Sequence, residues 1–249
     1  MSKHRFFIPP AEWIPEALAL TGDEARHCRD VLRCREGDRI VVFNGAGVEA
    51  EARIAAFPGK REARLDPVSI TRSDPLPTAL VLGQAVPKGK NMDLIVQKAT
   101  ELGVSRIVPL LSERTVVQFN EQEAEKKREK WERVAIEACK QCGQNWLPEI
   151  LAPMAVDRYL SAAGAINERE LRLMAALFGN ARPLKTVLDG LPRSPESSTI
   201  LIGPEGDFTP AELSLAVNAG YQPLSLGPII LRSETAAIYA VSILSYELR

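Results

Sequence analysis

Thr199-Ile200-Leu201-Ile202-Gly203-Pro204-Glu205-Gly206-Asp207-Phe208 is a short β-branched apolar run that stops abruptly at a glycine-proline turn. A buried parallel strand ending in a tight, ligand-facing loop has this composition. A helix is predicted to follow at once. Thr209 is placed as its N-cap, Pro210 as its first residue, Glu212 as the partner of Thr209 in a capping box, and Gly220 as its terminator. Working outward, a second apolar strip at 223–226 leads into a second glycine-bearing loop, 227–235. A last helix then follows, with Ala237, Val241, Leu244 and Leu248 at helical spacing.

Two glycine loops closing two successive strands point to a ligand site at the carboxyl edge of an open α/β sheet, where glycine lets backbone groups approach a ligand closely. Gly203-Pro204-Glu205-Gly206 lacks the Gly-Lys-Ser/Thr of a phosphate-binding loop and is not Gly-x-Gly-x-x-Gly. An acid without a basic cradle suits a ligand that carries no polyphosphate. Gly-Pro and Gly-Asp are also ordinary turn dipeptides, so the first loop read by itself leaves a plain turn open.

Upstream, apolar runs at 78–85, 105–111 and 170–178 read as further strands, and a helix starting from Asn91 as its cap is expected through Leu102. Residues 1–72 read as a smaller β-rich domain: Arg39–Phe43 and 48–55 form a hairpin signal around Asn44-Gly45-Ala46-Gly47, with a short helix at 24–32. The Pro-rich stretch Ser73-Asp74-Pro75-Leu76-Pro77 is taken as the linker into a second domain, 73–249. Arg26, Arg29 and Arg33 make a local basic patch on the first domain, and Lys88 and Lys90 lie beyond a strand end on the second. Both sets are candidate phosphate contacts, although solvated surface charge is the commoner fate of such runs.

Composition bounds the rest. The chain has 249 residues and a net charge of −1, so nucleic-acid binding has to rest on local patches rather than on the total. The first ten residues have no signal-peptide core, and no run approaches the ~18 apolar residues of a membrane span, so a cytoplasmic protein is expected. Cys139 and Cys142 sit inside a helical pattern, and Cys28 and Cys34 have poor spacing for zinc, so no metal or redox role is expected. The only histidines are His4 and His27, both far from the glycine loops, which argues against histidine-based hydrolysis.

The two loops, with Leu224-Ser225-Leu226-Gly227-Pro228-Ile229-Ile230-Leu231-Arg232-Ser233-Glu234-Thr235-Ala236, resemble the ribosomal RNA small-subunit methyltransferase E family of the SPOUT methyltransferases. The resemblance covers nearly the whole chain, including His27, Arg33, Gly37 and Asp38 in the first domain. It implies an α/β methyltransferase domain with a deep trefoil knot, preceded by a PUA-like β-barrel that holds RNA. It further implies S-adenosylmethionine bound by Leu177, Phe178, Ile202, Gly203, Pro204, Glu205, Gly206, Leu226, Gly227, Leu231 and Thr235, with no metal. The expected reaction is methylation of N3 of a uridine in small-subunit ribosomal RNA, free or in the assembled subunit, by a homodimer. Arg232 would stabilise charge on the uracil carbonyls, and Glu234 would orient Arg232 or take the proton. Two positions depart from the family pattern: Gln144 and Ile229 stand where arginine is usual. A knotted methyltransferase with another RNA or a ribose hydroxyl as target, and a non-catalytic RNA-binding or assembly protein, remain the alternatives.

Overall fold

The computed structural model describes residues 4–177 and 181–249. The chain divides into two compact units, 1–75 with 136–147, and 76–135 with 148–249.

The first unit is built on a five-stranded sheet of β1 (Arg5–Phe7), β2 (Ala19–Thr21), β3 (Arg39–Phe43), β4 (Val48–Gly59) and β5 (Glu62–Arg72), in the order β1-β3-β4-β5-β2. β3 and β4 form the expected antiparallel hairpin. Its turn is held by the Asn44 side chain, whose Oδ1 accepts the N–H groups of Ala46 and Val48. Phe6, Ile8, Leu20, Ile40, Val42 and Ile54 are among the core residues. The expected helix at 24–32 starts earlier and changes pitch: α1 (Gly22–Arg26) runs into a π-helical turn at His27–Val31.

The segment 136–147 joins this unit through Trp146. A Cβ on Gly47 would lie 2.5 Å from the Trp146 ring, so only glycine lets the indole pack there. The Trp146 Nε1–H donates to the Ser73 carbonyl at 3.1 Å, and the buried Lys140 ammonium pairs with Glu24.

The second unit carries a parallel sheet. Its strands are β6 (Ala79–Ala85), β7 (Arg106–Leu111), β8 (Glu149–Ile150), β9 (Met154–Ala155), β10 (Glu170–Ala175), β11 (Arg182–Pro183), β12 (Ser197–Ile202) and β13 (Gln222–Ser225). The order is β11-β13-β10-β12-β6-β7-β8, with β9 also on β7. The helices are α2 (Asn91–Glu101), α3 (Glu121–Cys142), which ends in the first unit, α4 (Val156–Ala162), α5 (Leu184–Asp189), α6 (Pro210–Asn218) and α7 (Ser233–Glu247). β12 lies between β10 and β6 and is buried from Ser198 to Ile202, which is why Ile200, Leu201 and Ile202 follow one another without alternation. Burying a side chain such as Ile200 or Leu201 stabilises by about 1.5–3 kcal/mol each.

Local chemistry sets α6 as expected. The Thr209 side chain accepts from the Glu212 N–H, the Glu212 carboxylate accepts from the Thr209 N–H, and Gly220 follows with a φ of 84°. Two other expectations are corrected. Lys90, not Asn91, is the residue before the first turn of α2, and no side-chain cap bond forms there. β10 ends at Ala175 because the next free amide, that of Leu177, turns from the ladder to the Asp207 carboxylate.

The apolar stripe Ala237, Val241, Leu244 and Leu248 is buried within its own chain, where α7 packs on α2, β6 and β12. It therefore gives no surface for a second subunit. Among the described residues, no helix is long and apolar enough to cross a membrane.

Candidate active site

Because β10, β12 and β13 run parallel, their carboxyl ends open on one edge of the sheet, and the three loops that follow them meet there. They surround a cavity of about 370 Å³. Leu177 comes from the first loop, Ile202, Gly203, Pro204 and Glu205 from the second, and Leu226, Gly227 and Leu231 from the third. Phe178 lies outside the described residues.

Two of the residues read from the sequence stand elsewhere. Gly206 is not in the cavity wall; its carbonyl accepts from the Arg114 guanidinium. Thr235 lies on another face of α7, beside Ile238 and Tyr239, because Ser233 and Ala236 share the cavity-facing side at i, i+3 and the residue before Ala236 is turned about 100° away. Sequence reading also missed cavity residues: Ala175, Ala176, Ala181, Asp207, Ser225, Pro228, Ile229, Ile230, Ser233 and Ala236. The two isoleucines put an exposed apolar rim on the third loop, where the sequence departs from a usual arginine.

Buried polar groups hold the loops. The Ser233 hydroxyl, at the start of α7, donates to the Gly203 carbonyl at 2.9 Å and accepts from the Gln84 amide at 2.8 Å. Glu212 is nearly buried, yet its carboxylate is well supplied with donors. Beyond the capping box it accepts the Ser112 hydroxyl at 3.1 Å and the Glu113 N–H at 2.9 Å, so the turn after β7 is tied to the start of α6. A buried carboxylate is tolerable because such donors replace its water. The same turn carries Arg114 to the glycine loop.

Arg232 is exposed and occupies the residue before the first turn of α7, where its side chain makes no capping bond. Its neighbours on either side, Leu231 and Ser233, line the cavity. Glu234 is half-buried in the first helical turn. Neither Arg232 nor Glu234 lines the cavity.

Of the residues expected to meet RNA, Arg26, Arg29 and Arg33 are exposed on the first unit, and Lys88 and Lys90 on the loop after β6. Arg29 also donates to the Gly59 carbonyl and lies over the Phe57 ring at 5.9 Å, and Arg33 adopts a left-handed backbone with φ 56°.

The four cysteines are free, and only Cys142 is exposed. Burial pushes the Cys139 thiol up to about 12, so at neutral pH it is an inert core group. Among the described residues, no cluster of three or more His, Cys, Asp or Glu side chains could hold a metal ion.

This geometry agrees with what comparison with known proteins finds. Residues 74–245 match the model of an RNA methyltransferase domain, and residues 20–68 that of an RNA methyltransferase PUA domain. The ribosomal RNA small subunit methyltransferase E of Bacillus subtilis is 30% identical over 98% of this chain and 96% of its own. The protein of the same name from Synechocystis is 31% identical over 96% of this chain and 76% of its own. Among solved structures, ribosomal RNA small subunit methyltransferase E from Neisseria gonorrhoeae, bound to S-adenosyl methionine, superposes with a TM-score of 0.85 at 28% identity, covering 98% of each chain. A Legionella pneumophila protein described as a methyltransferase, in complex with the bound cofactor SAM, superposes with a TM-score of 0.88 at 33% identity, over 99% of this chain and 98% of that one. A domain model that spans well over half the chain, and relatives that match it almost end to end, lead to one conclusion: the chain belongs to the ribosomal RNA small subunit methyltransferase E family.

Proposed function

We propose that the chain methylates N3 of a uridine in small-subunit (16S) ribosomal RNA, with S-adenosylmethionine as methyl donor. The observation that carries the reading is the cavity where three parallel strands end, walled by backbone at Gly203 and Gly227 and by the apolar side chains of Ile202, Leu226 and Leu231. Its volume is in the range of small-molecule sites. Of the described side chains that line it, only Glu205 and Asp207 are charged, which suits a ligand with an adenosine and an amino group better than a polyphosphate.

Bound S-adenosylmethionine supplies an electrophilic methyl on sulfur, so the protein's task is to aim the uracil nitrogen and manage its charge. As N3 gains the methyl, its proton has to leave. Arg232, between two cavity residues, stabilises negative charge on the uracil carbonyl oxygens, and Glu234 orients Arg232 or accepts the proton. Arg26, Arg29, Arg33, Lys88 and Lys90 contact RNA phosphates. The first domain, 1–72, serves as the PUA-like barrel that binds RNA, and 73–249 as the knotted methyltransferase domain. The protein works in the cytoplasm on ribosomal RNA, free or in the assembled subunit, as a homodimer. The outer face of α7, where Tyr239 and Tyr246 are exposed beside Ile238 and Ile243, supports the dimer.

The test is incubation of the protein with S-adenosylmethionine and unmodified small subunits, followed by nucleoside mass spectrometry. One 3-methyluridine per subunit is expected. A ribose-methylated nucleoside would replace the N3 assignment with 2′-hydroxyl chemistry, and no modification despite RNA binding would make the protein a binding or assembly factor.

A further inference from the structure

Gln84 is wholly buried near the end of β6, in register with Ile202 on the neighbouring strand. Its side-chain nitrogen donates twice, to the Ala85 carbonyl at 2.8 Å and to the Ser233 hydroxyl at 2.8 Å. A carbonyl can only accept, so the Ala85 contact fixes which end of the amide faces this way. Ser233 is therefore an acceptor from Gln84, and its single proton is left for the Gly203 carbonyl at 2.9 Å. Turning the amide over would set an oxygen against Ala85 and draw the serine proton away from Gly203. Both Gly203 and Ser233 line the cavity, whereas Gln84 stands behind them.

The arrangement has a cost. Gln84 Oε1 is buried and has no hydrogen-bond partner among the described residues. A buried amide oxygen without a donor bears its full desolvation penalty, which an apolar side chain of the same shape would avoid. Stability alone would be served by methionine or leucine. What the amide adds is direction, because it makes Ser233 a one-way link between the start of α7 and the glycine loop.

We propose that Gln84 is a positioning residue for methyl transfer, acting through Ser233 to hold the Gly203 carbonyl, and with it the glycine loop, in its ligand-binding shape. This rests on reading the cavity as the S-adenosylmethionine site. Gln84 touches no ligand itself.

The test uses the full chain with Gln84→Met, Ser233→Ala, the double variant and Ser233→Thr, read by calorimetric titration with S-adenosylmethionine and by amide hydrogen exchange of residues 203–208 without ligand. Each single loss should weaken binding about tenfold, the scale of one hydrogen bond, and speed exchange across the loop. Since both act through one link, the double variant should be no worse than Ser233→Ala within about twofold, and Ser233→Thr should recover most of the affinity. Should Gln84→Met not fold, Gln84→Leu also removes the donor without adding a polar group, and the same losses are expected. Unchanged affinity and exchange on losing Gln84, or losses that multiply to about a hundredfold in the double variant, would overturn the inference. No binding by the unmutated chain would instead overturn the reading of the cavity, and this inference with it.

Discussion

The Leu177 amide donates to the Asp207 carboxylate at 2.9 Å, across thirty residues of sequence. The other oxygen of Asp207 accepts the Phe208 N–H at 2.8 Å, and Asp207 itself adopts a left-handed backbone with φ 59°. One side chain thus ties the loop after β10 to the loop after β12, and both loops line the cavity. Asp is one of the few non-glycine residues that tolerate this conformation, because its short polar side chain bonds locally.

Asp207→Asn should keep the backbone but turn one acceptor into a donor that faces an N–H. The loss of one hydrogen bond to a charged group, about 1.5 kcal/mol, corresponds to roughly tenfold weaker S-adenosylmethionine binding. Asp207→Ala removes both acceptors and places alanine at positive φ, so a loss nearer a hundredfold is expected. Calorimetric titration distinguishes the two. Equal affinity in Asp207→Ala and the unmutated chain would mean that the loops are held independently.

Gly203 and Gly206 look alike in the sequence and differ in the structure. A Cβ on Gly203 would come within 3.2 Å of Asp207 Oδ1, Phe208 Cδ2 and the Phe208 nitrogen, all of its own loop. On Gly206 the nearest atom would be Arg114 Cδ at 3.4 Å, an ordinary contact with a flexible side chain. Gly203→Val should therefore abolish cofactor binding with circular dichroism near native, whereas Gly206→Ala should change affinity by no more than about twofold, within the ±0.5 kcal/mol of an ordinary surface change. The glycine is needed because the loop folds back on itself, and backbone approach to a ligand is not required to explain it.

What was legible in the sequence was local. The capping box of α6, the hairpin turn at Asn44 and the strand that stops at Gly203 each depend on residues within a few positions of one another. The links that shape the cavity do not. Gln84 and Ser233 are separated by 149 residues, and Arg114 and Gly206 by 92, so no spacing rule could pair them. The return of 136–147 to the first unit is hidden for the same reason: Gly47 reads as a turn glycine, and nothing near it announces Trp146. Thr235 stands off the cavity although Ser233 and Ala236 line it, since a helix sends consecutive residues to different faces.

The outer face of α7 carries the dimer prediction. Tyr246 is 85% exposed and Tyr239 46%, and Ile238 and Ile243 line the same surface, an apolar face of the kind a partner covers. Sedimentation should give a dimer at micromolar concentration. The double change Tyr239→Glu and Tyr246→Glu should give a folded monomer, because it places two unpaired charges in an apolar contact. A monomeric unmutated chain with full activity would remove the dimer from the proposal.

Arg232 is the only cation in 227–236, because Ile229 stands where an arginine is usual. It is exposed, its side chain does not cap α7, and it sits between the cavity residues Leu231 and Ser233, so it is available to a substrate rather than committed to the fold. Arg114, on the neighbouring loop, already donates to the Gly206 carbonyl. Charge that develops on a uracil carbonyl would then depend on Arg232. Loss of one preorganised donor costs on the order of 10²–10³ in rate, roughly 3–4 kcal/mol. Arg232→Ala should lower single-turnover methyl transfer by about that factor with cofactor affinity nearly unchanged, because its side chain does not line the cavity. Arg232→Lys keeps the charge without the planar fork and should recover only part of the rate. If Arg232→Ala weakens RNA or cofactor binding and the rate from the bound state stays the same, Arg232 is a binding residue and the charge on the uracil is met elsewhere.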